Sequence, residues 1–234
     1  MVRPPINKQR YVIAFVITCM LFLLGVLVGY SVTGLRLKYT NDVEGEQQLA
    51  YESLQVQTLY LSSLVQQQNC PALISTLEKN IHETEQTAQR LEDYIQDTTQ
   101  EEDFTVIKRR YILAQIRYWL LAQEVEKICG EEAAFILYFY SVDPALCAGC
   151  DTQGVILGHL KDQLKEQLLI FSFDAKFTEE PLMTLLTSTY KITTTPALVI
   201  EGKTYEGLMT KERILAEICP LYKEQPALCV DIKH

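Results

Sequence analysis

The sequence predicts an α/β domain of order β-α-β-α-β-β-α, preceded by one transmembrane helix and an antiparallel three-helix region. Three observations predict it. Residues 11–33 carry no charge and are dominated by Val, Ile, Leu, Phe and Gly. Residues 42–129 are rich in Gln, Glu, Leu and Ala, with Pro71 as their only proline. After Gly130 the period changes: Phe135 to Tyr140 is a continuous apolar and aromatic run, followed closely by Cys147-Ala148-Gly149-Cys150. A chain of 234 residues holds one ordinary domain and something smaller. The net charge of −9, with its acids spread, excludes the basic stripe a nucleic-acid surface needs, so no nucleic-acid partner is expected.

The first element is the uncharged run. At about 1.5 Å per residue, residues 11–33 would span a bilayer core of about 30 Å. Arg3, Lys8 and Arg10 precede it, and Arg36 and Lys38 follow. By the positive-inside rule this places residues 1–10 in the cytoplasm and the rest outside, as a single-pass protein of the cell membrane. A cleaved signal peptide is the competing reading. The run is long for that purpose, and Ser31-Val32-Thr33 is a poor cleavage site. Gly25 and Gly29 form one G-x-x-x-G, a spacing through which membrane helices pair, so a homodimer on this face is one partner to consider.

Three helices are expected across residues 42–129. The first runs from about Glu44 to Gln67. Asn69 is placed to cap the second, with Pro71 in its first turn. The turn Thr98-Thr99-Gln100 separates the second from the third. In the third, Phe104, Ile107, Tyr111, Ala114, Tyr118, Leu121, Val125 and Ile128 alternate spacings of three and four, a heptad-like seam. Ile112, Ile116, Trp119 and Leu120 add a second apolar flank. The second helix matches with Leu73, Leu77, Ile81, Thr84, Ala88, Leu91 and Ile95. Short connections make neighbours antiparallel. That order sets Cys70, at the start of the second helix, beside Cys129, at the end of the third. A disulfide there would close about 60 residues and stabilise by about 4 kcal/mol in the loop-entropy model.

Gly130 ends the third helix, and residues 132–219 form the α/β domain. Phe135 to Tyr140 reads as a strand buried on both faces. Asp151 to Glu166 reads as a helix with Val155, Ile156, Leu160 and Leu164 inward. Leu168 to Phe173 is a second strand, and Glu179 to Tyr190 a helix with Pro181 in its first turn. Ala197 to Ile200 and Thr204 to Glu206 form a hairpin across Glu201-Gly202. Lys211 to Ile218 is the last helix, and 220–234 is a C-terminal tail. Strands joined by a crossover helix are parallel, and the hairpin supplies an antiparallel edge.

Cys147 and Cys150 carry the chemistry. A strand aims the first cysteine outward, and a helix N-terminus stabilises its thiolate through unpaired N–H groups and the positive dipole end. Two cysteines three apart on a first helical turn can bridge each other. The pattern points to thiol–disulfide exchange, with Cys147 as the more exposed attacking thiolate and Cys150 resolving the mixed disulfide. Ala148-Gly149 adds no cation and no His. The dipole is then the main stabiliser, which leans towards a reductant or isomerase-like poise. A second signal is Thr195-Pro196, a proline opening the apolar strand Ala197-Leu198-Val199-Ile200, at a bond type where cis isomers occur.

With these residues in view, residues 132–219 resemble a thioredoxin-fold thiol–disulfide oxidoreductase, closest to the periplasmic Dsb-type members. The resemblance implies that Thr195, before a cis Pro196, lies against the cysteine pair and docks substrate as an added strand. The chain departs from the pattern at Leu146, where a Trp is common, and in the longer link Val142 to Leu146. The acid often found on the first strand is absent, and Tyr138 stands about there. Asp143 and Asp151 read as turn and cap residues.

The remaining cysteines bear on compartment. Of seven, Cys19 lies in the apolar run, leaving six, an even number suited to an oxidising compartment. Cys219 and Cys229 flank a Pro220 to Pro226 segment and read as a structural clamp on the tail. No metal and no cofactor are expected, because one Cys-x-x-Cys supplies two of the four ligands a structural zinc needs, and His82, His159 and His234 are scattered. The reading is therefore a membrane-anchored extracytoplasmic oxidoreductase. Its substrates would be Cys-containing secreted or membrane proteins, and a membrane redox partner would recycle the pair. The alternative is a non-catalytic membrane-anchored interaction module in which Cys147–Cys150 is a permanent structural bond.

Overall fold

The computed structural model describes residues 13, 15–28, 53, 55–96, 104–130 and 132–230. The chain divides into two units, 1–62 and 63–234. In the first unit residues 15–28 are helical with exposed side chains. Among the described residues no helix is long and apolar enough to cross a membrane. The transmembrane helix at 11–33 and the single-pass cell-membrane localisation built on it are therefore not supported. Residues 1–10 and 29–33, and with them Gly29, lie outside the described residues.

The expected fold class is corrected as well. Of the described residues 67% are helical, and the sheet is small, four-stranded and mixed. The first of the three expected helices falls across the boundary between the units, and its residues 44–52 lie outside the described residues. So does the turn Thr98 to Gln100.

The second unit contains an antiparallel helix pair, α1 (Cys70–Gln96) and α2 (Phe104–Cys129). Asn69 caps α1, its Oδ1 accepting from the N–H of Ala72 at 3.3 Å. Cys70 is bridged to Cys129 at one end of the pair, and the Tyr94 and Phe104 rings lie 5.7 Å apart at the other. The α1 seam is fully buried at Leu73, half-buried from Leu77 to Leu91 and exposed at Ile95, so it fades away from the disulfide.

The four strands are β1 (Ala134–Tyr140), β2 (Leu168–Asp174), β3 (Ala197–Ile200) and β4 (Lys203–Glu206). The sheet order is β2-β1-β3-β4, with β1 and β2 parallel and the other pairs antiparallel. Glu201 and Gly202 turn the β3–β4 hairpin with φ of 48° and 73°, the left-handed pair that a two-residue hairpin loop needs. The helices are α3 (Cys150–Leu164), α4 (Pro181–Thr189), α5 (Lys211–Ile218) and the short α6 (Ala227–Val230).

Alternation along β1 builds two cores. Ala134, Ile136 and Tyr138 pack with Leu157, Leu160 and Leu164 of α3 and Ile214, Leu215 and Ile218 of α5. Phe135, Leu137 and Phe139 pack with Met183 of α4 and with Ile112, Ile116, Trp119 and Ala122 of α2. Thus α2 is one wall of the sheet's core, which is why its second apolar flank exists. Leu120 is not part of that flank; it is half exposed. Val155 is also outward, 74% exposed, whereas Leu157 takes the inward place on α3.

Polar contacts lock α2 to the sheet edge. Gln115 Nε2 donates to the Ser172 carbonyl at 3.0 Å, and Ser172 N–H donates to Gln115 Oε1 at 2.9 Å. The amide thereby imitates a neighbouring strand and covers part of the β2 edge. The Lys108 ammonium pairs with Asp174, both buried, and lies 4.6 Å from the Phe177 ring centre. A pair so placed costs several kcal/mol when one partner is removed.

Candidate functional site

The site forms where β1 ends and α3 begins. Between them the chain makes tight turns. Ser141 Oγ accepts from the Asp143 N–H at 3.1 Å, Asp143 Oδ1 from the Ala145 N–H at 2.9 Å, and the Asp143 carbonyl from the Leu146 N–H at 3.0 Å. Asp143 is thus a turn residue, and these turns take up the long link to Cys147. Cys150 is the first residue of α3, preceded by Gly149, which caps it with no side-chain bond. Cys150 N–H donates to the Cys147 carbonyl at 3.5 Å, and no side chain of the cap accepts from the first turn.

Cys147 and Cys150 are bridged, with Cα atoms 5.5 Å apart. The expected contrast in exposure is absent. Cys147 is 6% exposed and Cys150 8%.

The Thr195-Pro196 bond is cis, and this loop lies on the cysteine turn. Thr195 Oγ1 donates to the Leu146 carbonyl at 3.0 Å. A Cβ on Gly149 would meet Pro196 Cγ at 3.6 Å, so the proline ring packs over the dipeptide between the cysteines. The structure therefore brings Cys147, Cys150, Thr195 and Pro196 together. Cys70–Cys129 and Cys219–Cys229 are bridged elsewhere, with Cα separations of 5.6 and 5.5 Å. Among the described residues no group of three or more His, Cys, Asp or Glu could hold a metal ion.

Two clefts flank the pair. One of about 770 Å³ opens on Cys147 and Cys150, with Tyr138, Val142, Asp151 and Val155 in its lining. The other, about 400 Å³, lies between Leu146 and the Thr193-Thr194-Thr195 run. Val142, Leu146, Val155 and Leu208 are exposed around the site. Among the described residues the main-chain N–H and C=O of Thr195 have no hydrogen-bond partner.

Three site residues escape sequence reasoning. The Tyr138 hydroxyl donates to the Cys150 carbonyl at 2.7 Å. Burial, and to a lesser degree the Asp151 charge, pushes the Tyr138 phenol up to about 12. It is therefore a proton-bearing strut at neutral pH and no base. Gln153, fully buried one turn along α3, accepts the Met209 N–H on Oε1 at 2.8 Å and fastens the segment after β4. Glu206 at the end of β4 accepts hydrogen bonds from Thr193 and Thr194. Tyr138 stands on a β1 position whose apolar neighbours give no sign of its hydroxyl's partner. Gln153 and Glu206 act on partners far away in sequence, and no spacing announces them.

No family model matches the chain, and no curated protein matches it. Among solved structures, one described as the structure of a malarial protein is similar at 14% identity with a TM-score of 0.32, covering 38% of this chain and 98% of that chain. A likeness at that score carries no argument.

Proposed function

We propose that this chain is a thiol–disulfide oxidoreductase acting on protein cysteines through Cys147 and Cys150. One observation carries the reading: the bridged pair sits at a strand-to-helix turn with the Thr195-Pro196 loop seated on it. The β-α-β-α-β-β-α order of residues 134–218 supports the resemblance to the thioredoxin fold. The unpartnered main chain of Thr195 supports docking of an extended segment by strand addition. The three bridged pairs support an oxidising compartment.

In the oxidising direction a substrate thiolate attacks Cys147 Sγ. The Cys147–Cys150 bond breaks, a mixed disulfide forms, and Cys150 leaves as the thiolate facing the start of α3. A second substrate thiolate then attacks the substrate sulfur, closing the substrate disulfide and releasing the Cys147 thiolate. Two protons are released from the substrate thiols and two electrons pass to the pair. The reductive direction reverses these steps, and a dithiol or disulfide partner restores the starting state.

The burial of both cysteines favours a second reading, in which the bond is structural and the chain is an interaction module. Reduction of the intact protein by dithiothreitol, with trapping and peptide mapping of the freed thiols, separates the two. The oxidoreductase reading expects the Cys147–Cys150 bond to open first and the oxidised protein to form disulfides in a reduced substrate. A pair inert to mild reductant, with no turnover, supports the structural reading.

A further inference from the structure

We propose that Glu206 is a positioning residue of this site: its carboxylate holds the Thr193-Thr194 turn so that Thr195 and Pro196 lie on the cysteine turn and Thr195 presents its main chain to an extended polypeptide. The inference rests on the oxidoreductase reading. One oxygen, Glu206 Oε1, accepts three hydrogen bonds: from Thr193 N–H at 2.6 Å, Thr193 Oγ1 at 2.7 Å and Thr194 N–H at 3.0 Å. Successive main-chain N–H groups converging on one anion form a concavity suited to negative charge. These bonds, the Thr193 hydroxyl first, hold the Glu206 carboxyl below its usual range.

The next residue completes the grip. Gly207 N–H donates to the Pro196 carbonyl at 2.8 Å. The end of β4 thus holds the loop before Thr195, by charge, and after it, by main chain. Thr195 Oγ1 then carries the constraint to Leu146, next to Cys147. Among the described residues Thr193 N–H and Thr194 N–H have no other acceptor. Glu206 itself is exposed and outside both cores, so its loss frees the loop without opening the fold.

The test uses the full chain as wild type, Glu206→Ala and Glu206→Gln. For Glu206→Ala, KM for a Cys-containing unfolded polypeptide should rise about tenfold, more than kcat falls, as charge-assisted bonds are lost. Reduction by dithiothreitol, which docks no strand, should slow less than about twofold. Amide exchange at Thr193 and Thr194 should quicken about tenfold, since opening there no longer breaks those bonds. Glu206→Gln should lie nearer wild type, because its amide oxygen can accept the same donors. Unchanged KM and unchanged exchange in Glu206→Ala would overturn the proposal. An equal slowing with polypeptide and dithiothreitol would also overturn it, because it marks damage to the pair itself. If wild type shows no turnover, the oxidoreductase reading fails, while the exchange rates still decide whether Glu206 holds the loop.

Discussion

The Cys70–Cys129 and Cys147–Cys150 pairs have nearly the same Cα separation, 5.6 and 5.5 Å, and opposite surroundings. The first joins the start of α1 to the end of α2 across a sequence separation of 59. The second spans a separation of 3, at a turn flanked by two clefts. Chain-entropy stabilisation grows with loop length, so the short bridge contributes under about 2 kcal/mol and the long one about 4 kcal/mol. A bridge that contributes little to the fold, placed on a helix N-terminus beneath a docked loop, is the one we propose to open. Bond geometry alone does not separate the two kinds of bridge. Their setting does.

The largest expected effect tests that separation directly. Cys147→Ser should lower disulfide turnover by about a thousandfold or more, as loss of an attacking group does. Cys150→Ser should keep the first step and lose the second, so mixed disulfides with substrate accumulate and are visible on non-reducing gels. Full turnover by Cys147→Ser would end the comparison, since neither bridge would then be the reactive one.

The other bridges should behave in the opposite way. The double variant Cys70→Ala with Cys129→Ala should lose about 4 kcal/mol in urea unfolding while its turnover persists in the folded protein. The double variant Cys219→Ala with Cys229→Ala, which opens a separation of 10, should lose about 3 kcal/mol by the same loop-entropy reasoning. Turnover lost in step with folded protein agrees with this assignment. Turnover lost by the fully folded double variants would give these pairs a part in the exchange.

Elements with a local signature were legible in the sequence. The run Phe135 to Tyr140 reads as a strand buried on both faces, and in the structure each face of β1 belongs to a different core. Thr195-Pro196 was legible from the proline at a strand opening. What was not legible depended on long-range partners. Residues 11–33 satisfy hydropathy over their whole length, yet among the described residues no helix is long and apolar enough to cross a membrane. Val155 sits at an apolar α3 position, but the inward stripe passes through Leu157 and Leu160, and Val155 borders the cleft. Ile112, Ile116 and Trp119 read as a bundle flank because nothing in α2 tells that its partner is a sheet. Glu206 reads as an ordinary edge-strand acid until the fold brings Thr193 to it.

The smallest expected effect concerns the proton economy of the pair. Tyr138→Phe removes one hydrogen bond to the Cys150 carbonyl and should cost about 1 kcal/mol. The phenol is raised from 10.0 to about 12, so the fold favours its neutral form. That contribution is fully present below the unfolded value near 10 and is lost as pH rises through about 12. Ultraviolet titration of the native protein should therefore show tyrosines that resist ionisation at pH 11, since Tyr118, Tyr140, Tyr205 and Tyr222 are raised to about 12 as well. Tyr138→Phe should remove one of these late ionisations. At neutral pH a tyrosine so placed keeps its proton and donates it in a hydrogen bond to the Cys150 carbonyl. Tyr138→Phe should then leave the pH profile of turnover in place while lowering stability. A turnover profile that shifts in Tyr138→Phe, with the alkaline titration unchanged, would make Tyr138 a proton carrier and overturn its role as a strut.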